Sequence, residues 1–192
     1  MDPSIKLARF VIRREGIVLV PYRDGKGFSI GCGHYLGEMA KPPKIEITVK
    51  QAVQKVLPHL VERADAVRKA IKVPVAQCQF DALMDLYYQG GRDGLEASCI
   101  HLNNRNPADK ASCLASDQAT VIEMLRWDTS ADGTHMAGLL KRRGRDVAMF
   151  LAEEYGSDLD LVPAWKTVVP ATYKPQPKDM FFVPVTDKDL IS

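Results

Sequence analysis

The sequence lacks the features that mark several common protein classes. Its four cysteines, Cys32, Cys78, Cys99 and Cys113, are widely spaced and form no C-x-x-C motif, so they predict neither a zinc site nor a redox pair. No apolar run is long enough to span a membrane. The amino terminus shows no secretory signal pattern. We therefore expect reduced thiols, no stable membrane insertion and synthesis in the cytoplasm.

Strong net charge is also missing. The chain has 192 residues, with 26 Lys and Arg against 24 Asp and Glu, which gives a formal net charge of +2. A charge this small excludes a generally basic, nucleic-acid-binding protein, so any attraction to an anionic polymer must come from a local patch. The densest patch runs from Lys141 to Arg145. The length predicts one domain, or one domain with two lobes.

The most informative segment that is present runs from Arg14 to Tyr35. Ser4 is a candidate N-cap, apolar residues then recur at helical spacing, and Gly16 follows as a stop signal. The turn Asp24-Gly25-Lys26-Gly27 lies between two β-prone runs, which is a strong signal for a β-hairpin. Glu15 is thus expected at a helix end, Asp24 at a hairpin turn and Ser29 on the next strand.

These three residues can perform general acid/base hydrolysis. An inverting glycosidase needs an acid to protonate the leaving oxygen and a carboxylate to position the attacking water. Glu15, after an apolar helix face, is expected to be partly desolvated, whereas Asp24 in a polar turn is expected to stay ionised. Ser29 offers a hydroxyl to the water. Each residue alone also has an ordinary structural explanation, so the interpretation depends on their joint order and spacing.

That order resembles the active-site segment of bacteriophage-type lysozymes, glycoside hydrolase family 24. The matching pattern is Glu-Gly, then Tyr-x-Asp-x-x-Gly, then Ser-Ile-Gly-x-Gly-His. Two later stretches agree, Gln77 to Gly91 and Leu125 to Phe150, the latter with its Gly-Leu-Leu-Lys-Arg-Arg run. The resemblance covers about residues 5 to 155 and implies catalytic roles for Glu15, Asp24 and Ser29. Ser29 stands where Thr is commoner, which removes the methyl group that restrains the rotamer.

The resemblance also implies roles for residues outside the catalytic set. Arg142, with its neighbour Arg143, matches an arginine near the catalytic Glu, and Gln89 matches a sugar-binding position in the cleft. The resemblance implies that all three bind the substrate. His34 matches a histidine with a structural ion-pair role. Cys32 lies in the glycine-rich turn beside the proposed site, where we expect a small buried filler. No metal ion or organic cofactor is implied.

The implied fold is α+β, mainly α, and lysozyme-like. A small amino-terminal lobe would hold the hairpin, and a helical carboxy-terminal lobe would complete the cleft. We expect residues 1–156 to form this two-lobed catalytic domain. Residues 157–192, rich in proline and aromatic residues, form a carboxy-terminal extension that packs either on the protein's own core or on a partner.

The implied function is a peptidoglycan hydrolase, or endolysin, that cleaves the β-1,4 bond between N-acetylmuramic acid and N-acetylglucosamine with inversion. We expect a monomer, made in the host cytoplasm, that reaches peptidoglycan by a holin-type or other route. Two alternatives stay open. One is a wall-binding or virion-docking module without hydrolysis, with residues 157–192 as a protein-docking arm. The other is a transglycosylase-type lyase that needs the acid alone.

Overall fold

A computed structural model describes residues 1–130, 133–156, 161–168 and 172–191. Its helices are α1 (Ile5–Glu15), α2 (Val49–Gln54), α3 (Val56–Ala70), α4 (Gln77–Leu102), α5 (Lys110–Arg126), α6 (Ala137–Ala152) and α7 (Asp187–Ile191). Its strands are β1 (Ile17–Asp24), β2 (Gly27–Gly31), β3 (His34–Glu38), β4 (Leu161–Trp165) and β5 (Met180–Pro184). The α+β, mainly helical class predicted from the sequence is confirmed. Within the described ranges, no helix combines the length and apolar character that crossing a membrane requires.

The chain divides into two contact units. The first, called the helical unit here, contains Met1–Leu7 and Leu60–Gly156. The second, the sheet unit, contains Ala8–His59 and the described part of 157–192. The helical unit ends at Gly156, and the chain beyond it groups with the amino-terminal hairpin. The expected division into residues 1–156 and 157–192 stays a prediction.

Helix α1 begins and ends where its sequence predicts. The Ser4 hydroxyl accepts a hydrogen bond from the Leu7 amide at 3.0 Å, which makes Ser4 the N-cap. Gly16 has a φ of +69°, and its amide donates to the Ile12 carbonyl at 2.9 Å. A positive φ costs glycine little, so Gly16 ends the helix at Glu15 and turns the chain into β1.

The sheet unit is built on one five-stranded sheet with the order β3-β2-β1-β4-β5. The predicted hairpin is present: β1 and β2 are antiparallel, and Asp24 pairs with Gly27 across a two-residue turn. Strand β4 then pairs in parallel with β1, and β5 is antiparallel to β4. The carboxy-terminal segment, expected as an extended arm, therefore extends the sheet of the hairpin and packs on the protein's own fold.

In the helical unit, α4, α5 and α6 pack against one another. Helix α4 contains a break at Gly91, where φ is 67° and ψ is −160°. Helix α5 is continuous from Lys110 to Arg126. The Asp81 carboxylate on α4 is fully buried and accepts hydrogen bonds from Ser4, Gln77 and Tyr155. This cluster ties the amino terminus and the segment after α6 to α4.

Candidate active site

Glu15 is the last residue of α1, and its side chain is 22% exposed. Its Oε1 accepts a hydrogen bond from Arg14 Nε at 3.0 Å, and the Arg14 side chain is only 4% exposed. The Arg14 guanidinium lies 5.6 Å from the centre of the Phe10 ring. The negative end of the helix dipole disfavours an anion at this position. A buried cation held against Phe10 compensates for that and fixes one oxygen of the carboxyl.

Asp24 and Ser29 form a direct pair across the hairpin. The Ser29 Oγ donates a hydrogen bond to Asp24 Oδ2 at 2.6 Å. Ser29 is fully buried in β2, whereas Asp24, at the end of β1, is exposed. The hairpin thus exposes the Asp24 carboxylate to solvent, while the buried Ser29 hydroxyl fixes one of its oxygens by a hydrogen bond. Such a carboxylate can accept a proton from water or orient it.

Cys32 is buried, and the charge of the Glu15 carboxylate acts on its thiol. Burial, with a smaller contribution from the Glu15 carboxylate, raises the pKa of the Cys32 thiol to about 12. Cys32 therefore stays a neutral thiol at physiological pH, which agrees with the expected role of a small filler and makes it a poor nucleophile.

His34, at the start of β3, lies edge-on to His59, with ring centroids 5.6 Å apart. The structure thus places an aromatic neighbour beside the residue expected to have a structural role. An ion-pair role for His34 stays a prediction.

The three residues expected to bind sugar lie in the helical unit. Arg143 is 1% exposed, and its Nη2 donates to Gln89 Oε1 at 2.5 Å. Its Nη1 lies 3.0 Å from an Asp146 carboxylate oxygen that is also buried. Arg142 is half-buried on the same helix. In this structure the hydrogen bond between Arg143 and Gln89 joins α6 to α4. A sugar-binding role for Gln89, Arg142 and Arg143 stays a prediction.

Sequence reasoning missed Arg14. The signal that could have revealed it is a basic residue in the last turn of a helix, four positions after an aromatic residue and next to a carboxylate. In the described parts of the chain, no three His, Cys, Asp or Glu side chains come together as a possible metal site.

Comparison with known proteins identifies related sequences and structures. A family model described as phage lysozyme matches residues 12–146. The chain is 33% identical over 141 residues to an endolysin of Bacillus phage PZA, a match that covers 71% of this chain and 50% of that protein. The chain thus spans about half the length of this curated relative.

Two solved structures share the fold. An endolysin from Escherichia coli O157:H7 phage FAHEc1 has 28% identity and a TM-score of 0.65, covering 82% of this chain and 98% of its own. The P22 lysozyme mutant L86M has 26% identity and a TM-score of 0.62, covering 79% of this chain and 99% of its own. The expected lysozyme-like fold is confirmed.

Proposed function

The chain belongs to the phage lysozyme family, and we propose that it is a muramidase that hydrolyses the β-1,4 bond between N-acetylmuramic acid and N-acetylglucosamine in peptidoglycan. The observation that carries the proposal is the joint placement of Glu15, Asp24 and Ser29. A carboxyl lies at the end of α1, and a carboxylate supported by a buried hydroxyl lies on the hairpin that follows.

In the proposed mechanism, the Glu15 carboxyl group is the general acid that protonates the glycosidic oxygen, and the leaving sugar departs as an alcohol. Asp24 accepts a proton from a water molecule whose oxygen bonds to the anomeric carbon from the opposite face, which inverts the configuration. Ser29 is buried and donates to Asp24, so its part is to orient that carboxylate. This refines the expected role of the hydroxyl, which was to hold the water itself.

Product analysis of digested peptidoglycan tests the reaction. A hydrolase releases reducing-end muramic acid, first as the inverted anomer, which NMR can detect before mutarotation. We expect Glu15→Gln to abolish product release while the variant still unfolds cooperatively. Lysis by Glu15→Gln at the wild-type rate contradicts the proposal.

The lyase alternative makes the opposite prediction for the hairpin. It yields an anhydro-muramyl product and leaves Asp24→Asn active. Under the hydrolase proposal, Asp24→Asn loses most of its turnover and no anhydro product forms. The matched control is Asp65→Asn, which removes a similarly exposed carboxylate from α3 in the other unit.

For substrate binding, we propose that Arg142 meets anionic groups of the polymer, because its side chain is half-buried whereas that of Arg143 is 1% exposed. We expect a monomer that binds peptidoglycan and not nucleic acid, made in the host cytoplasm and released to the wall by a holin-type or other route. A protein partner for residues 157–192 remains a second proposal. It is supported by the exposed side chains of Met180 and Phe182 on β5.

A further inference from the structure

The carboxy-terminal segment lies beyond residues 12–146, the part of the chain that the family model matches. Even so, its strand β4 pairs directly with β1, the strand that joins Glu15 to Asp24. Ile17 pairs with Ala164, and Val18 pairs with Trp165. Strand β4 therefore lies beside the first residues after Gly16, where α1 passes into the sheet.

At this junction, Trp165 covers Gly16. A Cβ atom added to Gly16 would lie 2.7 Å from Cζ3 of Trp165 and 3.1 Å from the carbonyl oxygen of Pro163. The Trp165 Nε1 donates to the Gln176 carbonyl at 3.0 Å, which fixes the orientation of the indole. The backbone that follows Glu15 is thus held between its own helix and a ring from the carboxy-terminal segment.

Tyr173 makes a second set of contacts at the hairpin. Its carbonyl accepts a hydrogen bond from the Arg23 amide at 2.8 Å, and its ring meets Phe28 edge-on at a centroid distance of 5.3 Å. Arg23 precedes Asp24, and Phe28 precedes Ser29. Tyr173 has a φ of 52°, a region that bulky side chains rarely occupy, so these contacts select its conformation.

We propose that the carboxy-terminal segment, through Trp165 and Tyr173, positions both halves of the catalytic constellation, an inference that rests on the proposed function. Trp165 restrains the end of α1 that carries Glu15, and Tyr173 restrains the flanks of the Asp24–Ser29 pair. Both are positioning residues, because they act through Gly16, Arg23 and Phe28. Small displacements of catalytic groups lower turnover more than they lower affinity for a polymer.

The test compares kcat and KM on purified peptidoglycan. We expect Trp165→Ala and Tyr173→Ala to lower kcat at least tenfold with KM changed less than threefold, and Trp165→Phe to recover most of the loss. The matched control is Leu161→Ala, which removes a side chain that is 56% exposed at the start of β4, the strand that carries Trp165. It should stay within twofold of the wild type.

A second measurement does not depend on catalysis. Amide hydrogen exchange should become faster at Gly16 in Trp165→Ala and at Arg23 in Tyr173→Ala, with the amides of α4 unchanged. Unchanged exchange at these two amides, or kcat within twofold of the wild type in both alanine variants, overturns the positioning role. If Trp165→Ala loses amide-exchange protection throughout the protein, the result for Tyr173→Ala decides, because Tyr173 lies in a turn outside the strands. Failure of the proposed function is recognised separately, by Glu15→Gln that still lyses peptidoglycan.

Discussion

The Ser29 hydroxyl donates a hydrogen bond to the Asp24 carboxylate at 2.6 Å, and the Ser29 side chain is fully buried. We expect Ser29→Ala to lower kcat about tenfold or more, because a hydrogen bond to a charged group is worth about 1.5–3 kcal/mol. Ser29→Thr retains the hydroxyl and should keep more activity than Ser29→Ala, although the extra buried methyl costs about 1–3 kcal/mol of stability. Steady-state kinetics and thermal melts separate the two effects. Equal kcat values for the Ala and Thr variants would contradict a role of the hydroxyl.

The Arg14–Glu15 pair predicts a measurable coupling energy. Arg14→Gln leaves the Glu15 carboxylate at a helix carboxy terminus without its buried cation, so we expect a loss of about 1–3 kcal/mol in unfolding free energy. In the Glu15→Gln background the same change should cost less, by a coupling of about 1–2 kcal/mol in a double-mutant cycle. Arg126→Gln removes an arginine that is 70% exposed, and it should be additive with Glu15→Gln. Additivity at Arg14 would argue against the pair.

Asp81 predicts the sign of a pH effect on stability. Burial raises the pKa of Asp81, although hydrogen bonds from Ser4, Tyr155 and Gln77 oppose the shift. A raised pKa means that the folded state binds more protons than the unfolded state. The contribution of Asp81 to the free energy of unfolding is therefore largest below the ordinary Asp pKa, near 4, and it is lost as the pH rises. We expect Asp81→Asn to remove that decline in melting temperature as the pH rises above about 4.

Asparagine is a close replacement at this position. In Asp81, Oδ1 accepts hydrogen bonds from the Ser4 amide and the Gln77 side chain, and an asparagine carbonyl oxygen can accept the same two. Oδ2 accepts from the hydroxyls of Ser4 and Tyr155, and an asparagine NH2 group can instead donate to those hydroxyls. The control is Asp65→Asn. The hydrogen bond from Arg68 lowers the pKa of Asp65, so its contribution to stability has the opposite sign, present above the ordinary value and lost on acidification. If both variants changed the slope of melting temperature against pH in the same direction, the raised pKa of Asp81 would be contradicted.

The two neighbouring arginines of α6 should behave differently. Arg143→Met leaves the Asp146 carboxylate buried without its cation, so we expect a loss of about 3–5 kcal/mol in unfolding free energy. Arg142→Met should cost less stability and raise KM for peptidoglycan, because we assign Arg142 to the polymer. Urea titrations and steady-state kinetics on the two variants check both statements. A larger stability loss for Arg142→Met would reverse the assignment.

Much of the sheet unit could be predicted because its signals are local. Ser4, Gly16 and the Asp24-Gly25 turn each act within a few residues of themselves. These elements also define the catalytic segment, so the placement of Glu15 and Asp24 followed from the same signals.

The rest depends on contacts between distant parts of the chain. Nothing in the spacing of Pro163 or Trp165 indicates that their strand pairs with β1, since parallel pairing of remote segments leaves no periodic mark. The burial of Arg143 was missed for a related reason. A run of basic residues usually indicates a solvated helix face, and only the partners on α4 and α6 show that one member of the run is internal.

The pairing of β1 with β4 has a consequence for folding kinetics. Ile17 pairs with Ala164 and Val18 with Trp165, so strands from distant parts of the chain must meet before the sheet is complete. Such long-range contacts form slowly, because the entropy of loop closure is lost before the contact stabilises the fold. The β1–β2 hairpin needs only local contacts, so we expect it to form earlier than the full sheet beside Glu15.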